Sequence, residues 1–252
     1  MELIKKSSQV DIYLHEGKVI KVYPDGITDA FIQYEYKLHE VSKKFGSEKI
    51  YGIEKENHIA FEYVKGESML KRLLAHTSRV QSMAKIFAGL QEKIHVEDGG
   101  GLVDQKFFFS KKIMASKHLS PDVKNELIDR LNDLENKGAL CHGDFDLDNI
   151  IYVDHYRVIN WDNAYRGHPL SDVALTWLKL SLKREKLSKG YMNLFRFLYL
   201  RYYLSITGST NKAFKSWLSI AAAASIDEVK AEDRPYLLSI IFRDVKKVNL
   251  FK

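Results

Sequence analysis

Residues Cys141-His142-Gly143-Asp144-Phe145-Asp146-Leu147-Asp148-Asn149 run directly into Ile150-Ile151-Tyr152-Val153, a turn, and Arg157-Val158-Ile159-Asn160-Trp161-Asp162. An Asp followed five places on by an Asn, then by two short apolar runs ending in oxygen-bearing side chains, suits phosphoryl transfer from a nucleotide. The Asp can take a proton from a hydroxyl. The Asn and the strand-end residue can hold magnesium against the nucleotide phosphates. Two β-rich runs around Asp154-His155 predict a tight hairpin. If Val153 pairs with Tyr156, then Ile150 pairs with Ile159, and Asn149 lies opposite Asn160 at the open end. Asp162 stays on the same face of an extended chain, and Asp144 lies on the loop entering the hairpin. Three or four oxygen ligands then converge on one small site.

This tract resembles the kinase-like phosphotransferases that include aminoglycoside phosphotransferases and choline and ethanolamine kinases. Their catalytic loop reads H-G-D-x-x-x-x-N, and His142 to Asn149 fits it at every fixed position. Their I-D-W, Gly-x-Pro and D-L-A segments fall on Ile159-Asn160-Trp161, Gly167-His168-Pro169 and Asp172-Val173-Ala174. The resemblance implies that Asp144 is the catalytic base, Asn149 a magnesium ligand and Asp172 a structural acid behind the loop. His142 then shapes the loop rather than moving protons. One position departs, because the family's metal-binding Asp falls on Asn160. An amide oxygen is a weaker ligand for a hard dication than a carboxylate. Either Asp162 or Asp146 makes up the missing charge, or nucleotide binding or turnover is poor.

The N-terminal side extends the resemblance. Val10 to Leu14, Glu16-Gly17 and Val19 to Tyr23 alternate with period two and predict a β-hairpin. Lys21 sits mid-strand among apolar residues, where the family carries its phosphate-binding lysine; Lys18, beside the turn, competes for the role. A helical stretch over roughly 28–45 holds Glu35 and Glu40. The family pairs the strand lysine with a glutamate on this helix, and Glu35 fits best. By the same resemblance, Lys6-Ser7-Ser8-Gln9 covers the nucleotide phosphates, with Ser7 and Ser8 offering main-chain and hydroxyl donors. Ile59 to Glu67 resembles the hinge, where adenine meets main chain around Glu62 to Val64 before a helix starting near Ser68.

A chain of 252 residues suffices for one large or two small domains. Its 45% hydrophobic and 29% charged residues are those of an ordinary soluble protein. A single cysteine excludes an intramolecular disulfide and suits a reducing cytoplasm. Cys141 reads as a small buried strand-end residue rather than a nucleophile. Met1 to Ser8 shows no apolar leader core, and no apolar run approaches the ~20 residues of a bilayer span. The expectation is a cytoplasmic protein without a membrane partner. The net charge of +6 comes from scattered lysines without interleaved aromatics. Attraction of a polyanionic nucleotide accounts for it, and no nucleic-acid partner is expected.

The resemblance and the pattern together predict an α+β, protein-kinase-like two-lobe fold, with a small β-rich N-terminal lobe and a larger, mainly helical C-terminal lobe. Residues 1–66 form the nucleotide-binding lobe and hinge, and residues 67–252 the catalytic and acceptor-binding lobe. Ser120-Pro121-Asp122 opens a helix with Val123, Leu127, Leu131 and Leu134 at helical spacing. Ser171-Asp172 opens another. The aromatic tail packs mostly as core, with Tyr202, Tyr203 and Trp217 as candidates to line an acceptor pocket. A polycationic acceptor would want acids, which Asp227, Glu228, Glu232 and Asp233 offer. Choline would want an aromatic cage. The expected activity is a magnesium-dependent kinase moving the γ-phosphate of ATP or GTP to a hydroxyl of a small molecule. The alternative is a pseudokinase that binds nucleotide in a regulatory or scaffolding role. The acceptor and the oligomeric state stay open.

Overall fold

Period-two alternation over the first sixty residues and helical periodicity beyond them are both realised in the computed structural model, which describes residues 1–6, 10–24, 29–55, 57–182 and 188–245. In chain order the elements are β1 (Glu2–Lys5), β2 (Asp11–His15), β3 (Lys18–Val22), α1 (Asp29–Ser42), β4 (Ile50–Lys55), β5 (His58–Glu62), β6 (Glu67–Ser68), α2 (Met69–Ala75), α3 (Val80–His95), α4 (Gln105–Ala115), α5 (Pro121–Asp133), β7 (Ala139–Cys141), β8 (Ile150–Tyr152), β9 (Tyr156–Val158), β10 (Tyr165–Gly167), α6 (Pro169–Leu182), α7 (Lys189–Thr207), α8 (Asn211–Ser225) and α9 (Arg234–Asp244). The architecture is α+β. Two compact units form, Met1–Arg72 with Leu147–Asn163, and Leu73–Asp146 with Ala164–Lys252. Among the described residues no helix is long and apolar enough to cross a membrane.

The first unit is built on a five-stranded antiparallel sheet in the order β1-β2-β3-β5-β4. Glu16 and Gly17 both take positive φ, 48° and 75°, so β2 and β3 close through the mirror-image turn that matches strand twist. Alternate residues Tyr23, Ile59 and Phe61 are buried on one face, with Val19, Phe31 and Ile50 packed against them. A 3₁₀ turn, Lys43–Phe45, extends α1 and ends at Gly46 with φ +69°. A Cβ at Gly46 would stand 2.8 Å from Arg157 Cγ, so both the backbone conformation and the close approach require glycine.

The central hairpin forms, with a register different from the expected one. Ile150 pairs with Val158, Ile151 with Arg157 and Tyr152 with Tyr156. The turn holds three residues, closed by the Val153 N–H donating to the His155 carbonyl at 3.1 Å. Asn149 therefore faces Ile159, whose N–H donates to the Asn149 carbonyl at 2.9 Å, and Asn149 and Asn160 are not cross-strand partners. A slip of one residue reverses which face each side chain takes. β6 adds to the other edge of β8, pairing Glu67 with Tyr152 and Ser68 with Ile151. The Ser68 hydroxyl accepts the Lys71 N–H at 3.2 Å and caps α2.

Arg157 ties this small sheet to the rest of the first unit. Its guanidinium donates twice to the Glu62 carboxylate at 2.8 Å, to the Gly46 carbonyl at 2.6 Å and to the Ser47 carbonyl at 3.0 Å. The planar fork of arginine suits this two-point carboxylate contact.

In the second unit, α3 packs on α7, and α8 packs on α4, α6 and α9. Phe87 meets Phe145, Phe195 and Tyr199 edge-on or tilted at 4.6 to 5.6 Å between ring centres. Ser120 caps α5 by accepting the Val123 N–H, Pro121 occupies its first turn, and Val123, Leu127 and Leu131 are buried as their spacing requires. β7 and β10 pair antiparallel, with Tyr165 opposite Cys141.

Replacing Arg157 with Met keeps most of the side-chain volume and removes every one of these donors. The expected loss is about 2–3 kcal/mol, read from the denaturant midpoint at unchanged slope. An unshifted midpoint would show that the tether is inert.

Candidate active site

The second unit supplies the loop His142-Gly143-Asp144. It leaves β7 and turns at Gly143, whose φ is +73°. Its main chain is held from behind by Asp172 in the first turn of α6. The Asp172 carboxylate accepts from Gly143 N–H at 2.8 Å and from His142 N–H at 3.2 Å. It also accepts from Gln91 Nε2 and His95 Nε2, each at 3.0 Å. Asp172 is 0% exposed. Burial alone would raise its carboxyl, but the hydrogen bond and charge of His95, with help from His142 and Gln91, hold it below the ordinary value. The shell is itself braced. Gln91 also donates to Thr176 Oγ1 at 3.0 Å and accepts the Tyr199 hydroxyl. The other ring nitrogen of His95, Nδ1, hydrogen-bonds with the Tyr203 hydroxyl at 2.6 Å.

His142 is turned back on its own loop, its Nδ1 accepting the Asp144 N–H at 3.2 Å. Asp144 makes an ion pair with Lys179, two turns along α6 from Asp172. Cys141 is fully buried, and burial pushes its thiol well up, which suits a packing residue. Gln91, His95 and Lys179 were not singled out from the sequence. A signal existed on α3, where Gln91 and His95 share the stripe of Ala84, Phe87, Ala88 and Ile94. Polar residues on an apolar stripe point to a buried network. Of the three aromatics named as acceptor-pocket candidates, Tyr203 and Trp217 are core, as most of the tail is: Tyr203 serves His95, and Trp217 is buried against His168 and Phe109, while Tyr202 is half-buried.

The first unit supplies a buried charged pocket. Lys21, on β3, is 4% exposed and lies 4.5 Å from the centre of the Phe61 ring. Its ammonium makes its ion pair with Asp162, and Glu35 and Glu48 act on it at longer range. Burial would lower the ammonium, but the charges of Asp162, Glu48 and Glu35 push it above its ordinary value, so it is a cation. The resemblance expects Glu35 as its partner. Glu35 lines the same pocket, with Glu48, Asp162 and Trp161, around a cavity of about 20 Å³, room for one water. Burial, reinforced by the nearby Asp162 charge, pushes the Glu35 carboxyl up to about 7 against the opposing charge of Lys21. Burial likewise raises Glu48.

Glu48, which sequence reasoning did not select, positions Asn160. Its two carboxylate oxygens accept the Asn160 N–H at 3.1 and 3.2 Å. Asn160 sits at φ +68°, a left-handed conformation that asparagine tolerates better than most residues. Trp161 stacks on Phe45 at 5.4 Å and donates its indole N–H to the Val158 carbonyl at 2.8 Å. Asn149, Asn160 and Asp162 thus all belong to this unit. Their side chains offer oxygen donors of the kind magnesium takes, so the residues fit the ion in chemistry. Asp162 is the carboxylate of the set, and Lys21 already engages it.

Glu62 at the end of β5 gives its side chain to Arg157 and its N–H to the Lys49 carbonyl at 2.8 Å. The Arg157 hydrogen bonds hold its carboxyl below the usual range. Val64 follows in a stretch that belongs to neither sheet. Ser7 and Ser8 lie outside the described residues.

The profile of the "Phosphotransferase enzyme family" matches residues 47–204. Three solved structures share the fold at low identity. A thermostable mutant of aminoglycoside phosphotransferase APH(4)-Ia is 14% identical with a TM-score of 0.66, covering 97% of this chain and 94% of that one. A putative fructosamine-3-kinase from Haemophilus somnus is 15% identical with a TM-score of 0.63, covering 95% and 90%. Choline kinase from Cryptosporidium parvum is 12% identical with a TM-score of 0.58, covering 96% and 87%. These likenesses show the kinase-like phosphotransferase fold. Among curated proteins, acyl-CoA dehydrogenase family member 11 is 36% identical over 74 residues in Rattus norvegicus and 27% identical over 123 residues in Homo sapiens. The matches cover 26% and 44% of this chain and only 10% and 16% of those longer proteins.

Two outcomes follow from the buried carboxylates. Asp172→Asn puts an amide N–H₂ among donors and is expected to cost about 3–5 kcal/mol in denaturant unfolding; a change below 1 kcal/mol would remove Asp172 as the anchor of the loop. For Glu35 the folded value of about 7 exceeds the ordinary 4.5. Below pH 4.5 both states keep the proton. As pH rises from 4.5 to 7 the unfolded chain ionises first, so this group's contribution falls by on the order of 3 kcal/mol and then levels off. Glu35→Gln should flatten the fall in melting temperature across that window; parallel wild-type and variant curves would count against a protonated Glu35.

Proposed function

The chain belongs to the phosphotransferase enzyme family, and we propose on that premise that it transfers the γ-phosphoryl group of ATP or GTP to a hydroxyl of a small molecule. The observation that carries this reading is the clamp of Asp172 on the main chain of His142 and Gly143, which holds the Asp144 loop in one conformation. Preorganisation of that kind is what phosphoryl transfer asks of a protein, since positioning and charge stabilisation supply most of the rate.

In this mechanism residues 1–66 bind the nucleotide and residues 67–252 carry the base and the acceptor. Adenine or guanine meets main chain around Glu62 and Val64. Lys21, kept charged by Asp162, Glu48 and Glu35, binds the phosphates, and Ser7 and Ser8 contribute donors. Asn149, Asn160 and Asp162 would hold magnesium, which supplies neutralisation of phosphate charge. Asp144 orients the acceptor hydroxyl and takes its proton. The bond from the γ-phosphorus to the β-bridging oxygen breaks, a bond to the acceptor oxygen forms, and nucleoside diphosphate leaves. His142 shapes the loop. The reaction is assigned to the cytoplasm.

Asn160 favours a second reading, a pseudokinase that binds nucleotide without turning it over, because it removes a carboxylate from the position where the family has one. Glu48 and Asp162 put negative charge back beside it, which supports turnover. Calorimetry with ATP and GTP, each with and without magnesium, tests both readings. Metal-enhanced binding is expected, and Asp144→Ala should retain that binding while losing at least about 100-fold in turnover. Full turnover in Asp144→Ala would remove it as the base. Binding without turnover in the wild type would return the pseudokinase.

A further inference from the structure

We propose that the acceptor is an anionic alcohol, a small molecule carrying a phosphate or carboxylate near its reacting hydroxyl, and that Lys179 selects for it. The inference rests on Asp144 being the base. Lys179 and Asp144 form an ion pair whose side chains are 36% and 17% exposed, with the engaged Asp144 Oδ1 itself covered, so an incoming molecule reaches that oxygen by displacing the ammonium. An acceptor hydroxyl that engages Asp144 competes with the ammonium for the same oxygen. It then lies within a few ångströms of a positive charge. A cationic group on the acceptor is repelled there, whereas an anionic group takes over the ammonium that the hydroxyl displaces.

Two further observations in the second unit point the same way. Two of the four acids that a polycation would want are engaged within the protein itself. Glu228 pairs with Lys112 at 2.6 Å, and Asp227 accepts the Lys117 N–H at 3.2 Å and lies 3.7 Å from His118. Two of the three aromatics singled out for an acceptor pocket are used elsewhere. Tyr203 is 0% and Trp217 2% exposed, the first bonded to His95 and the second packed on His168. Four of the cation-recognising residues offered by the sequence are thus occupied, and a cation stands beside the base.

The test is phosphoryl transfer from γ-labelled ATP and GTP into three pools of hydroxyl compounds, with products identified by mass spectrometry. The anionic pool holds 3-hydroxypropanoate and 2-hydroxyethyl phosphate with larger analogues, so the carboxylate and phosphate arms are told apart. The neutral pool holds propane-1,3-diol and sugars, and the cationic pool 3-aminopropan-1-ol, choline and aminoglycosides. Wild type is expected to favour the anionic over the cationic pool by about tenfold or more in kcat/KM. Lys179→Met should reduce that preference to below about threefold, and Lys179→Arg should restore it. Equal or greater transfer into the cationic pool, no transfer into the anionic pool, or an unchanged preference in Lys179→Met overturns the proposal. Loss of magnesium-nucleotide binding in the same preparation would instead take down the kinase reading. Transfer into the cationic pool would leave that reading standing.

Discussion

Burying one carboxylate organises the second unit. Asp172 has no contact with solvent, and an isolated buried charge would be costly enough to prevent folding. Four donors meet that cost, two from the loop main chain and two from α3. Each donor constrains its own segment. The loop must present adjacent N–H groups, which the left-handed Gly143 permits. Helix α3 must present Gln91 and His95 on one stripe, and α7 must supply Tyr199 and Tyr203 behind them. The Asp144 loop is rigid because its main chain solves an electrostatic problem.

The first unit answers a different imbalance. Lys21 is a single buried cation near Asp162, Glu35 and Glu48. Burial raises the carboxyls of Glu35 and Glu48, and the nearby Asp162 charge adds to it against the opposing pull of Lys21. Glu48 offsets part of it by accepting the Asn160 N–H. A carboxylate side chain at position 160 would add to the crowding, so Asn160 suits the charge already present there. The departure from the family pattern thus sits on a main chain that Glu48 holds.

Much of this was legible beforehand for definite reasons. Helix α1, the β2–β3 hairpin around Glu16-Gly17, the Ser120 cap with Pro121, and buried Cys141 all follow from local patterns, whereas Glu35 came from the resemblance. The register of the central hairpin did not. Asp154-His155 looks like a complete two-residue turn, but Val153 joins it, and the pairing shifts by one. Turn length is decided by strand twist and by what each face packs against, which two turn residues do not encode. The tail aromatics were ambiguous for a related reason. Helical spacing places Tyr203 and Trp217 on a face without saying whether that face meets protein or ligand.

The sequence by itself determined the reaction class and the order of elements. The spacing of His142, Asp144 and Asn149, with strands and helices in a given order, is a property of a linear pattern. Tertiary structure alone decided the partners of the charged groups: Asp162 for Lys21, Glu48 for the Asn160 main chain, Lys179 for Asp144, and Gln91 and His95 for Asp172. Most of these partners lie tens of residues apart along the chain. Which charge meets which depends on how helices and strands pack and on where water is excluded, and no local run of residues carries that information.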